Sequence, residues 1–184
     1  MIPPLDAGQK RELLAYARGV ITAAFGGAEP PIPGGAGGRA YGEGCGAFVS
    51  LHEHGALRGC IGRMEASGAL TETLADMARA AAFEDPRFSP LRREELGELK
   101  IEITLLAPMR RIASAEEIVV GKHGVHLREA GRSAVFLPQV APEQGWDRET
   151  LLNHLAMKAG LDPGAWRRPG AELRVFEGLV FGED

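Results

Sequence analysis

Three features of this 184-residue chain predict an α+β fold with a mostly antiparallel sheet and helices packed on it. Residues 99–106, LKIEITLL, alternate strictly, with Leu99, Ile101, Ile103 and Leu105 on one side and Lys100, Glu102 and Thr104 on the other, the mark of a half-buried strand. Two segments carry apolar residues at three- and four-residue spacing, so each makes a helix with one buried face. The order hairpin, helix, strand then occurs twice, although the two passages share no residue identity. The expectation is a single domain, residues 1–184, with two sub-halves of about 1–110 and 111–184.

The first helix runs through DAGQKRELLAYARGVITAAF. Asp6 is its cap, with Gln9 three residues on as in a capping box, and Gly26 and Gly27 stop it. The Gly- and Pro-rich AEPPIPGGAGGRAYGEG reads as an irregular crossing loop. A hairpin follows, with CGAFVSLH and LRGCIG as strands and EHGA as a four-residue turn. In that register His52 faces Leu57 and Cys60 faces Val49, and alternation puts Arg58 on the Cys60 side of the sheet. Cys45 then lies about four residues, at roughly 3.4 Å each, from the position facing Cys60, too far for a disulfide. SGALTETLADMARAAAF is the next helix, capped by Ser67.

The second half repeats the order. GVHLREAGRSAVFLP makes a hairpin whose Ala130-Gly131 turn sets Glu129 opposite Arg132, and the strand has to end near Pro138. Asp147 caps a helix through RETLLNHLAMKAG, on which Leu151, Leu152, Leu155 and Met157 are apolar. ELRVFEGLVF closes as a strand.

Composition narrows the function classes. The formal charge is −4 and the pI near 5.8, and no basic run is interleaved with aromatics, which argues against a nucleic-acid binder. The longest basic cluster, PLRREEL, is cancelled at once by Glu94 and Glu95. No apolar run reaches membrane-spanning length, and the opening MIPPLDAGQKREL lacks the basic start and apolar core of a secretory signal. Two cysteines are too few for a disulfide framework, so a reducing cytoplasm is the expected location. Walker loops, dinucleotide fingerprints and G-x-S-x-G elbows are missing, and the histidine pairs His52/His54 and His123/His126 lack accompanying ligands at zinc spacing. No cofactor and no bound metal are expected.

The chemistry concentrates in ALRGCIGRME. An apolar strand carrying a guanidinium, a thiol and two glycines within five positions needs a reason. Arg58 would favour the Cys60 thiolate, and Gly59 and Gly62 would admit a ligand or another backbone. The competing structural reading is a small buried thiol, with glycines where a helix packs on the strand. In FEDPRF, Asp85 caps a turn, and Arg87 either pairs with Asp85 or reaches the cleft of Arg58. Gln139 and Gln144 are amides able to read a ligand, Trp146 is a core residue, and His154 is a base for Cys60 only if the halves bring them together.

Four blocks in order, LRGCIG, AAFEDPRFSPLRREEL, LPQVAPEQGWD and MKAGL, resemble the AMMECR family, over about residues 44–181. The bacterial and archaeal branch of that family is named for the AmmeMemoRadiSam system protein A. The resemblance implies an α+β fold of two related halves around an antiparallel sheet, and a setting with a Memo-family protein and a radical SAM enzyme as partners. It supplies no reaction. Three readings follow. The favoured one is an accessory protein of that three-component system, whose LRGCIG cleft takes a small anionic molecule. The alternatives are a stand-alone enzyme with Cys60 as nucleophile or redox thiol and Arg58 as anion clamp, and a nucleic-acid-associated regulator. The expected ligand-binding set is Gly59, Gly62, Asp85, Arg87 and Gln139.

Overall fold

The first helix starts where its cap directs. In the computed structural model, which describes residues 4–34 and 43–183, α1 spans Ala7–Ala23. Asp6 accepts the Gln9 N–H at 2.8 Å and the Gln9 side chain accepts the Asp6 N–H at 3.0 Å, closing the capping box. Leu13, Leu14, Ala17, Val20 and Ile21 form the buried face. Residues 35–42 of the Gly-rich crossing loop lie outside the described residues.

The chain forms two compact units, Met1–Ala107 with Leu179–Asp184, and Pro108–Gly178. In the first, strands β1 (Glu43–Glu53) and β2 (Ala56–Ala69) form a hairpin, and β1 also pairs antiparallel with β3 (Leu99–Leu106), so β2 lies at an edge. Helix α2 (Leu70–Phe83) follows β2. Val49, Leu51, Ile101, Ile103 and Leu105 meet the apolar faces of α1 and α2 in one core. Arg18 of α1 ties this unit together, bonding the Leu99 carbonyl at 2.6 Å and the Glu183 carboxylate.

Two sequence expectations change here. The hairpin turn is only His54-Gly55, both with positive φ (52° and 79°), and Glu53 pairs with Ala56. The expected cap Ser67 lies in β2, which continues to Ala69 opposite Glu43; α2 begins one residue later with no side-chain cap. Strand pairing has taken up the backbone that a capped helix start would have used.

In the second unit, β5 (His123–Glu129) pairs antiparallel with β6 (Arg132–Phe136) and with the first part of β7 (Glu172–Gly182), and the two-residue β4 (Arg110–Arg111) also pairs with β7. The Ala130-Gly131 turn has positive φ at both residues and sets Glu129 opposite Arg132, as expected. Helices α3 (Val140–Gln144) and α4 (Arg148–Lys158) follow, α4 capped by Asp147, which accepts the Thr150 N–H at 2.8 Å. Leu151, Leu152 and Leu155 enter a core with Val125, Leu127 and Val175, whereas Met157 is exposed. The fold is thus α+β, with hairpin, helix and strand following one another in each unit. Among the described residues no helix is long and apolar enough to cross a membrane.

Candidate functional site

The register around Cys60 differs by one residue from expectation. His52 faces Leu57, but Leu51 then faces Gly59 and Cys60 faces Ser50, not Val49. Arg58 is the extra residue of a β-bulge, so strict alternation does not carry across it and cannot place Arg58 and Cys60 on one side. Ser50 lies on the face of β1 opposite the buried Val49 and Leu51, and its Oγ donates to Cys60 Sγ at 3.2 Å. Cys45 pairs with Glu65, five residues along β1 from Ser50, and both cysteines are free. Cys45 is sealed at 2 % exposure, which pushes its thiol up, while Cys60 is half-buried.

As an edge strand, β2 leaves outward N–H and C=O groups without a neighbouring strand. The residues after α2 supply the missing partners. Asp85, on the turn that ends α2, accepts the Cys60 N–H at 2.8 Å, and Arg87 Nη2 donates to the Cys60 carbonyl at 3.1 Å. Arg87 also grips Asp85 in a fork, Nε to Oδ1 at 2.9 Å and Nη2 to Oδ2 at 2.7 Å, and the Arg87 N–H caps Oδ1 at 3.1 Å. The Arg87 guanidinium and the Cys60 N–H hold the Asp85 carboxyl well below the usual carboxylate range. The Asp85 side chain is only 2 % exposed, whereas that of Arg87 is 55 % exposed. Among the described residues Arg87 Nη1 has no hydrogen-bond partner.

The glycines explain how α2 comes so close. A Cβ on Gly59 would stand 2.2 Å from the Ala81 carbonyl oxygen, so the bare backbone is what lets the last turn of α2 rest on β2 and bring Asp85 to Cys60. Gly62, opposite Phe48, has that ring lying over it, with a Cβ position 2.1 Å from the ring. The second unit repeats the device, with the Phe176 ring over its cross-strand partner Gly124.

Arg58 has a different neighbour from the one expected. Its Nε donates to Glu95 Oε1 at 2.7 Å, with both side chains largely buried, and Arg92 bonds the same carboxylate. Hydrogen bonding from Arg58 pulls the Glu95 carboxyl down to about 2. Arg58 therefore anchors the short 3-10 turn Arg93–Gly97, and the cation beside Cys60 is Arg87.

The remaining candidates lie in the second unit. Gln139 is exposed at the start of α3 without a side-chain cap bond, and Gln144 is exposed at its end. Trp146 packs on Phe136 at the edge of the core and stacks on His154 at 4.1 Å, which occupies the imidazole face. His123 is buried, takes the Val119 N–H on Nδ1 and has its pKa lowered by desolvation. No motif in the sequence marks Glu95 or Ser50 as part of this site. The signal for Glu95 was Arg58 itself, since a guanidinium in an apolar strand needs a carboxylate once buried. Ser50 follows only from the bulged register.

The AMMECR1 family model matches residues 14–181 of this chain. Protein Mbar_A1807 of Methanosarcina barkeri is 45% identical over 148 residues, 78% of this chain and 73% of its own length. Protein MK0488 of Methanopyrus kandleri is 41% identical over 148 residues, 76% of this chain and 72% of its own. The crystal structure of protein PH0010 from Pyrococcus horikoshii is similar with a TM-score of 0.76 at 32% identity, covering 94% of this chain and 90% of that one.

Proposed function

This chain belongs to the AMMECR1 family, and we propose that it is an accessory protein working with a Memo-family protein and a radical SAM enzyme, and that it presents the Cys60–Arg87 surface to a small anionic molecule. The observation that carries this reading is the fork between Asp85 and Arg87. It fixes the Cys60 N–H and carbonyl while leaving more than half of the Arg87 side chain open to solvent and Cys60 itself only half-buried. A buried carboxylate spent on holding an outward-facing guanidinium suits a surface that receives an anion. Arg58, bound to Glu95, braces the same strand instead of clamping the ligand.

A second reading, Cys60 as a nucleophile, draws on the Ser50 hydroxyl, which donates to Sγ at 3.2 Å and orients it. Among the described residues no histidine or carboxylate is bonded to Sγ as a base, and so the accessory reading stands first. The experiment is binding between the purified chain and a Memo-family protein and a radical SAM enzyme from the same organism, followed by calorimetry. Binding that Arg87→Gln weakens at least tenfold and Cys60→Ser leaves within about twofold supports the accessory reading. Absence of binding to either protein defeats it, and a reaction lost in Cys60→Ser favours the enzyme.

A further inference from the structure

The second unit holds a cationic cavity that contains none of the residues singled out above. Its walls come from two segments brought together by backbone pairing. Arg111 pairs with Arg174 across β4 and β7, and the Ile112 N–H donates to the Leu173 carbonyl at 3.0 Å, which aligns residues 111–115 beside the start of β7. A 3-10 turn, Pro163–Arg167, then supplies Trp166 and Arg167. Trp166 is fixed by its Nε1–H, which donates to Asn153 Oδ1 at 2.9 Å, and the Arg167 guanidinium lies 3.9 Å from the centre of the indole. Between these segments lies a cavity of about 610 Å³, with Ile112 and Leu173 as apolar lining and Arg111, Arg167 and Arg168 as cationic lining. A second cavity of about 570 Å³ shares Trp166 and Arg167 as a wall. Either volume suits a small organic molecule.

The arginines are held loosely enough to change partners. Arg167 pairs with Glu149 and Arg168 with Asp162, both carboxylates being 63 % and 82 % exposed. Pairs so open to water contribute little. Arg111 stands 3.9 Å from Glu172, which Arg174 already binds at 2.6 Å, so two guanidinium groups share one carboxylate. Residues 108–178 carry ten Lys and Arg against nine Asp and Glu, in a chain whose net charge is −4. The acidity of the protein therefore resides elsewhere, and this cavity concentrates cations beside an apolar lining.

We infer that this cavity binds a small amphiphilic anion, with a phosphate, carboxylate or sulfonate head on Arg111 and Arg168 and a flat apolar body along Ile112 and Leu173 beside Trp166. The head replaces the exposed Asp162 on Arg168 and gives Arg111, which shares Glu172 with Arg174, a partner of its own, in bidentate geometry. The body needs the apolar lining, so a bare inorganic anion lacks half of the interaction.

The probe is 8-anilinonaphthalene-1-sulfonate, an aromatic sulfonate of this class, titrated into the full chain carrying Trp146→Phe so that Trp166 is the sole tryptophan. Saturable quenching of Trp166 at one site per chain, weakened at least tenfold in Arg111→Gln/Arg168→Gln and by high salt, is expected. Arg111→Lys/Arg168→Lys, which keeps the charge and loses the fork, falls between the two. Arg132→Gln, an arginine outside the cavity, leaves binding unchanged. Binding that the double Gln variant does not weaken, quenching that fails to saturate, or inorganic phosphate displacing the probe at equal concentration overturns the proposal.

Discussion

The carboxylate of Asp85 accepts the backbone N–H of Cys60 at 2.8 Å, linking the turn after one helix to the edge of the sheet. Arg87 completes the contact by taking the Cys60 carbonyl and both Asp85 oxygens, so the two side chains stand in for an absent strand. The thiol is thereby fixed at a sheet edge beside a guanidinium that remains open to solvent.

Asp85→Asn keeps the shape and removes the charge that Arg87 grips. The melting temperature should fall by roughly 3–8 °C, the scale for losing charge-assisted hydrogen bonds at a buried group in a chain of this size. Because Asp85 and Arg87 act as one unit, Asp85→Asn/Arg87→Gln should melt close to Asp85→Asn alone. Calorimetric melts of Asp85→Asn, Arg87→Gln and the double variant check this, and strictly additive losses would show that the two residues act independently.

The Glu95–Arg58 pair predicts an acid limb in stability. With Arg58 bound, the Glu95 carboxyl titrates at about 2 against an ordinary 4.5. As pH falls the unfolded chain takes up this proton first, so the stability contributed by Glu95 is complete above about pH 5 and is lost toward pH 2. Asp85, also held low, acts in the same direction. Urea midpoints measured from pH 6 down to pH 2.5 should fall more steeply for the wild type than for Arg58→Gln; parallel curves would contradict the pairing.

The two glycines of the motif should respond differently to a methyl group. Gly59→Ala drives a Cβ against the Ala81 carbonyl oxygen, a backbone atom that cannot turn aside, and should cost toward the upper end of roughly 1–3 kcal/mol. Gly62→Ala meets the Phe48 ring, a side chain that can be removed, so Gly62→Ala/Phe48→Ala should need no further repacking at this point. Urea denaturation checks both: the Phe48→Ala background should shrink the Gly62→Ala penalty and leave that of Gly59→Ala unchanged.

Much of the fold was legible in the sequence because it is written in local patterns. The Asp6–Gln9 cap, the Ala130-Gly131 turn and the Asp147 cap each depend on neighbours a few residues apart, and each stands as expected, while the alternation from Leu99 holds through Ile103 and ends where Thr104 is buried with Leu105 and Leu106. The failures are non-local. The extra residue at Arg58 is a property of pairing between two strands, and it moved Cys60 from Val49 to Ser50. The partnership of Arg58 with Glu95 spans 37 residues, and nothing in PLRREEL marks which of its two glutamates turns inward. The end of the second helix was visible in FEDPRF, but its seat on Gly59 is fixed only by packing. The Trp166-Arg167-Arg168 run carries no local signal, because the other wall of its cavity comes from residues 111–115, more than fifty positions earlier.

Paired alkylation asks whether a reachable Cys60 thiol and the open side of Arg87 share one surface. Rates of Cys60 modification are measured with iodoacetate, an anion, and with iodoacetamide, its neutral counterpart, in the wild type and in Arg87→Gln, the site of reaction being assigned by peptide mass. The account predicts that Cys60 reacts well ahead of the sealed Cys45, that its iodoacetate-to-iodoacetamide ratio exceeds that of a free thiol, and that Arg87→Gln lowers the ratio several-fold. A ratio equal to that of a free thiol and unmoved by Arg87→Gln, or a Cys60 no more reactive than Cys45, would contradict it.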